Sequence, residues 1–302
     1  MEKEAAKKVD LGTGSVGYLL FRLALPAITA QIINVLYNMV DRMYIGHLPD
    51  IGANALTGVG VTFPAITAIS AFAALVSMGG APRASIMMGK GDNEQANKIL
   101  GNCFTALVIT SVVLTAVTMI FCEPLLMMFG ASENTIVYAK AYMMIYAAGT
   151  IFVQLTLGMN AFISAQGFSR ISMLTVIIGA ITNIVLDPIL IFGFNMGVRG
   201  AALATVLSQA VSTVWVLQFL SGKKSQLKLH PKYFNIDAKI LFPALALGVA
   251  PFIMQSTESL LVLCFNSSLL KYGGDLAVGA MTILSSVMQF SMLPLQGLTQ
   301  GA

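Results

Sequence analysis

The chain has 302 residues, of which 57% are hydrophobic and only 10% are charged, and its formal net charge is +4. Soluble domains carry roughly 25% charged residues. The composition, with a mean hydropathy of +0.82, therefore excludes a soluble globular protein. The basic residues are dispersed rather than clustered, so nothing favours nucleic acid as a partner. The sequence predicts an all-α polytopic membrane protein.

Apolar segments follow one another along the chain. A helix needs roughly 20 residues to span about 30 Å of hydrocarbon, and each segment reaches that length. Turn-forming residues such as Gly, Pro and Asn separate the segments. We predict eight membrane-spanning helices, at 16–46, 54–82, 96–122, 134–164, 170–194, 198–220, 239–270 and 276–302.

Lysine and arginine are concentrated in alternate connections. The residues before 16 and the connection at 221–239 are rich in lysine, whereas the connection near Glu123 and Glu133 has none. Cytoplasmic connections carry the excess of Lys and Arg in membrane proteins. The N-terminus is therefore predicted to lie in the cytoplasm.

A weak internal repeat relates the first and seventh helices. Pro26 and Pro251 stand in similar apolar contexts, at an offset of 251 − 26 = 225 residues. The long basic connection separates six helices from the next two, and an even number of spans returns the chain to the same side. We predict a six-helix lobe at 1–222, a cytoplasmic basic linker at 223–238, and the first two helices of a second lobe at 239–302.

One face of the first helix is polar. Asn34, Tyr37, Asn38 and Asp41 are spaced so that they share a helical face. Such a face within an apolar helix is directed toward protein or water rather than lipid, because an intramembrane charge is costly. Asp41 could instead cap the helix or pair with Arg42 near the membrane surface. Both interpretations stay open at this point.

Further polar groups fall at a similar depth. Asp187 has Asn183 one turn before it, and Thr205 and Tyr142 lie in the same half of the membrane, judged from helix length. Carboxylate, amide and hydroxyl oxygens suit a hard cation such as Na⁺, and two close carboxylates can also share a proton. Alternatively, Asp187 marks the end of a helix before Pro188.

A third intramembrane carboxylate, Glu258, is predicted about 18 Å from the outer end of the seventh helix, and Gln255 lies one turn before it. This acid either holds a proton, or faces cationic cargo, or is a protonated group hydrogen-bonded between helices. Asn160 is a weaker candidate ligand, because the fourth helix places it near the inner end, far from Asp187.

No constellation for catalysis or for a transition metal is visible in the sequence. Cys103, Cys122 and Cys264 are far apart on apolar segments, and His47 and His230 fall in connections. We therefore expect a protein that is not an enzyme and that needs no cofactor besides a coupling ion.

Three stretches of the chain resemble the multidrug and toxic compound extrusion (MATE) family, in particular its multidrug exporters from Gram-positive bacteria. They are LALPAITAQIINVLYNMVDRMYIGHL, NIVLDPILIFGFNMGVRGAALATVLSQ and PFIMQSTESLL. The resemblance implies twelve helices in two six-helix lobes around a central cavity. It also implies a monomer in the bilayer of a bacterial plasma membrane, exporting drugs and toxic organic cations in exchange for Na⁺ or H⁺ by alternating access.

The resemblance also assigns residues. A cation site in that family uses an aspartate of the first helix, an asparagine and an aspartate one turn apart in the fifth, and a threonine of the sixth. These fall here on Asp41, Asn183, Asp187 and Thr205, which would bind Na⁺ if the protein is sodium-coupled. Pro26 is expected to kink the first helix. The resemblance implies that this kink takes part in switching, whereas a fixed kink is the alternative.

The MATE resemblance bears on how much of the transporter this chain contains, and one alternative function is also considered. Eight helices would lack the last four of the second lobe, so we expect the chain not to transport by itself. The alternative function is a flippase for a lipid-linked precursor with a similar two-lobe plan. A flippase that handles pyrophosphate would need several arginines facing the cavity, whereas carboxylates dominate the predicted spans.

Overall fold

The computed structural model describes residues 16–49 and 51–301, with side chains for 25–49, 51–285, 287 and 288. The lysines before residue 16, which contribute to the predicted orientation, lie outside the described residues. All regular secondary structure in the described part is helical. The elements are α1 (Val16–Gly46), α2 (Gly52–Gly89), α3 (Asn93–Ile120), α4 (Cys122–Met128), α5 (Ile136–Ala148), α6 (Thr150–Ala165), α7 (Ser169–Pro188), a π-helical turn (Ile189–Gly193), α8 (Val198–Ser221), a 3₁₀ turn (Pro231–Tyr233) and α9 (Ala238–Gly301).

Each of the eight predicted segments coincides with a helix or a helix pair. Five stretches in the described part are long and apolar enough to cross a membrane, and the bent pair α5–α6 makes a sixth. These stretches are α2, α3, α7 with the π turn, α8, and Ala238–Ser285 of α9. The protein is therefore a multi-pass helical membrane protein.

The last two predicted segments form one long helix with a break. Gly274 has φ +65° and ψ −168°, which is not helical geometry. The left-handed region that φ reaches is open to glycine without a steric penalty. We call residues 238–273 the first arm of α9 and residues 275–301 its second arm.

The predicted fourth span, 134–164, is wrong as a single helix. It consists of α5 and α6, which are bent by 58° at Gly149. A Cβ atom at Gly149 would clash with the side chain of Val206 on α8. The bend therefore accompanies a close helix approach, and hydropathy does not register such a contact.

Two hydrophobic clusters divide the helical bundle. We call the first the site half, which packs around Ile45, Ala139, Met143, Ile191 and Ala202. We call the second the strap half, which packs around Leu100, Leu107, Phe162, Leu220 and Leu227. Helices α2 and α6 contribute to both clusters. Helix α9 packs against α1 and α2.

Residues 222–237, which we call the strap, connect α8 to α9 and are bound to the bundle. The Oε1 atom of Gln166 accepts hydrogen bonds from the Oγ of Ser225 (2.9 Å) and from the backbone N–H groups of Gln226 (2.8 Å) and Leu227 (3.1 Å). Ser225 and Leu227 are buried. The predicted linker at 223–238 is therefore a packed segment.

The same strap is bound to α3. The Oδ1 atom of Asn97 accepts a hydrogen bond from the N–H of Lys228 (2.8 Å), and that of Asn102 accepts one from the N–H of Asp237 (2.6 Å). These contacts fix the start of α9 relative to the first helices. The division of the chain into two lobes at this segment stays a prediction.

Candidate functional site

Candidate side chains from four helices meet in the site half, and we call them the polar cluster. They are Tyr37 and Asp41 of α1, Tyr142 of α5, Asn183 and Asp187 of α7, and Thr205 of α8. Asp41 is 7% exposed and Asp187 is fully buried. The carboxyl groups of Asp41 and Asp187 are close enough to repel each other, and the hydroxyl of Tyr37 experiences both.

Helix α1 contributes one part of its polar face to this cluster. Tyr37 and Asp41 are one turn apart and therefore project from the same side. Between them, Asn38 donates from its Nδ2 to the backbone oxygen (2.7 Å) and to the side-chain oxygen (2.9 Å) of Asn34, one turn earlier. The Asn34 amide is therefore engaged with its own helix.

Helix α7 supplies the second carboxylate at its end. The Nδ2 of Asn183 donates to the Oδ1 of Asp187 at 3.2 Å, one turn away. Pro188 ends the α-helical geometry because it lacks an N–H, and the chain continues as the π turn. Asp187 is therefore the residue before the last one of α7, close to the helix end that one interpretation proposed, and it is also buried inside the bundle.

Helices α5 and α8 complete the cluster with hydroxyl groups. The side chains of Tyr142 and Thr205 are hydrogen-bonded to each other, and Tyr142 also experiences the charge of Asp41. The rings of Tyr142 and Tyr146 stack, with centroids 6.2 Å apart. Four helices that are distant in sequence are therefore held around the two carboxyl groups.

Several buried oxygens of the cluster have no hydrogen-bond partner among the described residues: Asp41 Oδ1, Asn183 Oδ1 and Asp187 Oδ2. Buried polar atoms ordinarily have partners, and buried carboxylates without a compensating charge are strongly destabilising. Arg42 supplies one favourable charge beside Asp41. The arrangement is chemically suited to receive a further cation or a proton.

The chemistry of the cluster points to a hard cation rather than a transition metal. Within residues 16–49 and 51–301, no three His, Cys, Asp or Glu side chains come together in a way that could bind a metal ion. The cluster instead offers two carboxylates with amide and hydroxyl oxygens. Oxygen ligands of this kind suit hard cations.

Asn160 lies away from the polar cluster, contrary to its inclusion among the cation ligands. Its Nδ2 donates to the backbone oxygen of Ser172 at 3.3 Å. Ser172 is near the start of α7, whereas Asp187 is fifteen residues further along the same helix, or about 22 Å at 1.5 Å per residue. The break between α5 and α6 does not bring Asn160 to the carboxylates.

The candidates on α9 are separate from the polar cluster. Glu258 is exposed on the first arm and Gln255 is half-buried. Ser259, which follows Glu258 in the chain, donates from its Oγ to the backbone oxygen of Pro64 at 2.6 Å. The face of this arm that carries Ser259 therefore packs on α2. A role of Glu258 in cargo or proton binding stays a prediction.

Helix α1 is continuous through Pro26, and the predicted kink also stays a prediction.

Arg42 is the functional candidate that the sequence did not single out. Its position after Asp41 in the sequence suggests only an ion pair with that residue near the membrane surface. The structure shows that its Nη1 donates to the backbone oxygen of Thr282 on the second arm of α9, at 3.2 Å. Its guanidinium carbon also lies 5.6 Å from the ring centroid of Phe63. The signal in the sequence was its adjacency to an intramembrane carboxylate.

Residues 26–189 match the family model MatE. A multidrug export protein, MepA from Staphylococcus haemolyticus, is 26% identical over 287 residues, which are 95% of this chain and 63% of that protein. The chain therefore spans less than two thirds of the length of this curated relative.

Solved structures of MATE transporters share the fold. The multidrug transporter DinF-BH, solved in complex with a dye, is 33% identical with a TM-score of 0.91, over 97% of this chain and 66% of that one. A multidrug resistance MATE family transporter in an outward-facing conformation is 25% identical with a TM-score of 0.83, over 94% and 62%.

Proposed function

The chain belongs to the MatE family, and from that premise we propose that it is part of an exporter of organic, mainly cationic, compounds, coupled to Na⁺ or H⁺. One observation carries the proposal. Two buried carboxyl groups, Asp41 and Asp187, lie close together with oxygens that no described group satisfies. A cation or proton that enters this cluster relieves the repulsion between them. The protein can thereby bind a coupling ion reversibly.

The proposed ligands of the ion are Asp41, Asn183, Asp187 and Thr205, with Tyr142 holding Thr205 in place. The unpartnered oxygens of Asp41, Asn183 and Asp187 point to the first three ligands, and the hydrogen bond between Tyr142 and Thr205 supports the fourth. The same carboxylates can bind Na⁺ or a proton, and a Na⁺ titration distinguishes the two.

Cationic cargo is favoured over an anionic lipid-linked precursor. Glu258 presents an exposed carboxyl on the first arm of α9. Recognition of a pyrophosphate would call for several converging arginines. In the described part, Arg42 is instead directed at Thr282, Phe63 and the carboxylate beside it. The relative that was solved with a bound dye supports a small organic compound as cargo.

The proposed location is the plasma membrane of a bacterium, with the strap on the cytoplasmic side and the protein acting as a monomer. The lysines of the strap support this orientation, because they are exposed while Ser225 and Leu227 between them are buried. Positively charged connections remain on the cytoplasmic side of membrane proteins. Alternating access between two lobes is the proposed mechanism.

The test is export of a cationic dye by the full-length gene product that carries Asp41→Asn. The substitution keeps the shape of the side chain and removes its charge. We expect normal insertion in the membrane and loss of ion-driven export, by about 100-fold or more, because the ion site loses a charged ligand. The matched control is Asp237→Asn on the strap, which should export normally. Ion-dependent export at the wild-type rate by Asp41→Asn would contradict the proposal.

A further inference from the structure

Arg42 lies between the polar cluster and the second arm of α9. Its backbone follows Asp41 directly, and its side chain interacts with the charge of that residue and with Tyr142. Its Nη1 also donates to the backbone oxygen of Thr282 at 3.2 Å. One side chain therefore interacts electrostatically with the candidate ion site and donates a hydrogen bond to α9, which supplies no residue to the polar cluster.

The second arm of α9 is fitted closely against α2 at this point. The hydroxyl of Thr57 would lie 2.7 Å from a Cβ atom at Gly279, and the side chain of Thr282 leaves no room for a Cβ atom at Gly60. A cavity of about 10 Å³ lies beside Arg42, Phe63 and Thr282, which is room for about one water molecule. Arg42 therefore borders a tightly packed contact between the two helices.

Binding of a cation changes what Arg42 is attracted to. When Asp41 is ionised and the cluster is empty, its carboxylate attracts the guanidinium. A cation between Asp41 and Asp187 neutralises that attraction and repels Arg42. The carbonyl of Thr282 and the ring of Phe63 are favourable partners of Arg42 in that state. Arg42 is therefore held more strongly by the second arm of α9 when a cation is bound than when the cluster is empty.

We propose that Arg42 is a positioning residue that couples cation binding at the polar cluster to the placement of the second arm of α9. The proposal rests on the proposed function for the ion site. It adds that Arg42 transmits the effect of cation binding to the second arm of α9. The predicted domain division places this arm in the second lobe. Because the positive charge of Arg42 lies beside the cluster and repels a cation there, Arg42 also lowers the affinity of the cluster for the cation.

The alternative is that Arg42 serves the fold alone, as a fixed counter-charge for Asp41. A fixed counter-charge predicts that its removal destabilises the protein and leaves the response of α9 to the cation unchanged. The coupling role predicts the opposite pattern. The position of α9 would stop following the cation, although the cation still binds.

The experiment measures Na⁺ binding and a helix distance in the same purified full-length protein, at one pH. Spin labels are placed at Val137 of α5 and Ile283 of the second arm, both of which are exposed, after replacement of Cys103, Cys122 and Cys264 by serine. In the otherwise wild-type protein, we expect Na⁺ to shift the distance between the labels by about 2 Å, the usual size of a helix shift at an interface.

The variant Arg42→Gln should bind Na⁺ about fivefold more tightly, and its label distance should no longer respond. Phe63→Leu retains the charge of Arg42 and its hydrogen bond to Thr282, and is expected to lose about half of the distance response. It tests the same contact if Arg42→Gln does not fold.

A wild-type distance that Na⁺ does not change, or a variant that responds as the wild type does, would overturn the coupling role. These failures differ from a failure of the proposed function. If Asp41→Asn still exports, the proposed ion site is wrong. If export depends on Asp41 but the position of α9 does not respond to Na⁺, only the coupling role of Arg42 is wrong.

Discussion

At the strap, the buried side-chain oxygen of Gln166 accepts three hydrogen bonds, one of them from Ser225. In the polar cluster, three buried oxygens of Asp41, Asn183 and Asp187 have no partner among the described residues. Both groups lie in one helical bundle and are similarly buried. A satisfied buried amide contributes to the fold, whereas concentrated unsatisfied carboxyl oxygens indicate a place where something binds.

The polar cluster differs from the other unsatisfied groups because it brings two buried carboxyl groups together. Outside it, Arg83 and Asp275 each carry one unsatisfied atom, and both residues are only half-buried. The Oε1 of Gln154 and the Oδ1 of Asn160 also have no partner within the described residues. Both are neutral amides, and each uses its nitrogen in a hydrogen bond to a backbone oxygen. A lone amide oxygen costs far less than a carboxylate that is buried without a counter-charge. The comparison therefore predicts that the strap governs stability and the cluster governs binding.

The largest effect on stability is expected from Gln166→Leu. The substitution removes the oxygen that accepts from the N–H groups of Gln226 and Leu227. It also removes one of two acceptors of the Ser225 hydroxyl, the other being the backbone oxygen of Leu227. We expect the free energy of unfolding to fall by about 4 kcal/mol, with cation affinity unchanged. Thermal unfolding in detergent and Na⁺ titration would measure the two quantities. Gln218→Leu, at an exposed position of α8, is the matched control. Loss of Na⁺ binding in folded Gln166→Leu would break the comparison.

The next effect concerns the carboxyl pair. Asp41→Asn and Asp187→Asn should each lower cation affinity by about 100-fold, or about 2.7 kcal/mol. In the double variant the loss should be much smaller than the sum, because one missing charge already disables the site. Cation titration of the purified single and double variants gives this comparison. Equal additivity would mean that the two residues act in separate sites.

A smaller effect is expected at Glu258, which lies apart from the cluster. Glu258→Gln should reduce export of a cationic dye about tenfold relative to a neutral one, because an interaction with the charge of the cargo is lost. Cation affinity at the polar cluster should not change. Paired export assays with the two dyes would check this. Reduced cation affinity with an unchanged dye preference would show that Glu258 does not interact with the cargo.

The smallest effect is expected from Asn160→Ala. Because its amide contacts Ser172 at the far end of α7, we expect cation affinity to change by less than about twofold. Na⁺ titration of the variant beside the wild type is sufficient. A loss of tenfold or more would place Asn160 in the ion site after all.

The length of the apolar segments predicted the helices, and the helical repeat predicted which residues of the cluster share a face of one helix. The spacing of Tyr37 and Asp41, and of Asn183 and Asp187, follows from the helical repeat. Counting residues from helix ends placed Tyr142 at the same depth. These predictions depend on local geometry, which is regular in a membrane helix, and the structure places the side chains together.

Contacts between distant segments were the part that the sequence did not predict. The bend at Gly149 depends on Val206 of α8, and the strap depends on Gln166, which is 59 residues from Ser225. Neither pairing leaves a periodic signal in a hydropathy pattern. The contact of Arg42 with the second arm of α9 was missed for the same reason.

The central claim is that the unsatisfied oxygens of the polar cluster form a cation site rather than a structural feature. Na⁺ binding and thermal unfolding of wild type and Asp187→Asn, measured on the same samples, test this claim most directly. We predict that Asp187→Asn binds Na⁺ about 100-fold more weakly than the wild type. We also predict that it unfolds at the same or a higher temperature in the absence of Na⁺, because a buried repulsion has been removed. Undiminished Na⁺ binding by folded Asp187→Asn, or a fall in its unfolding temperature comparable to that of Gln166→Leu, would contradict the account.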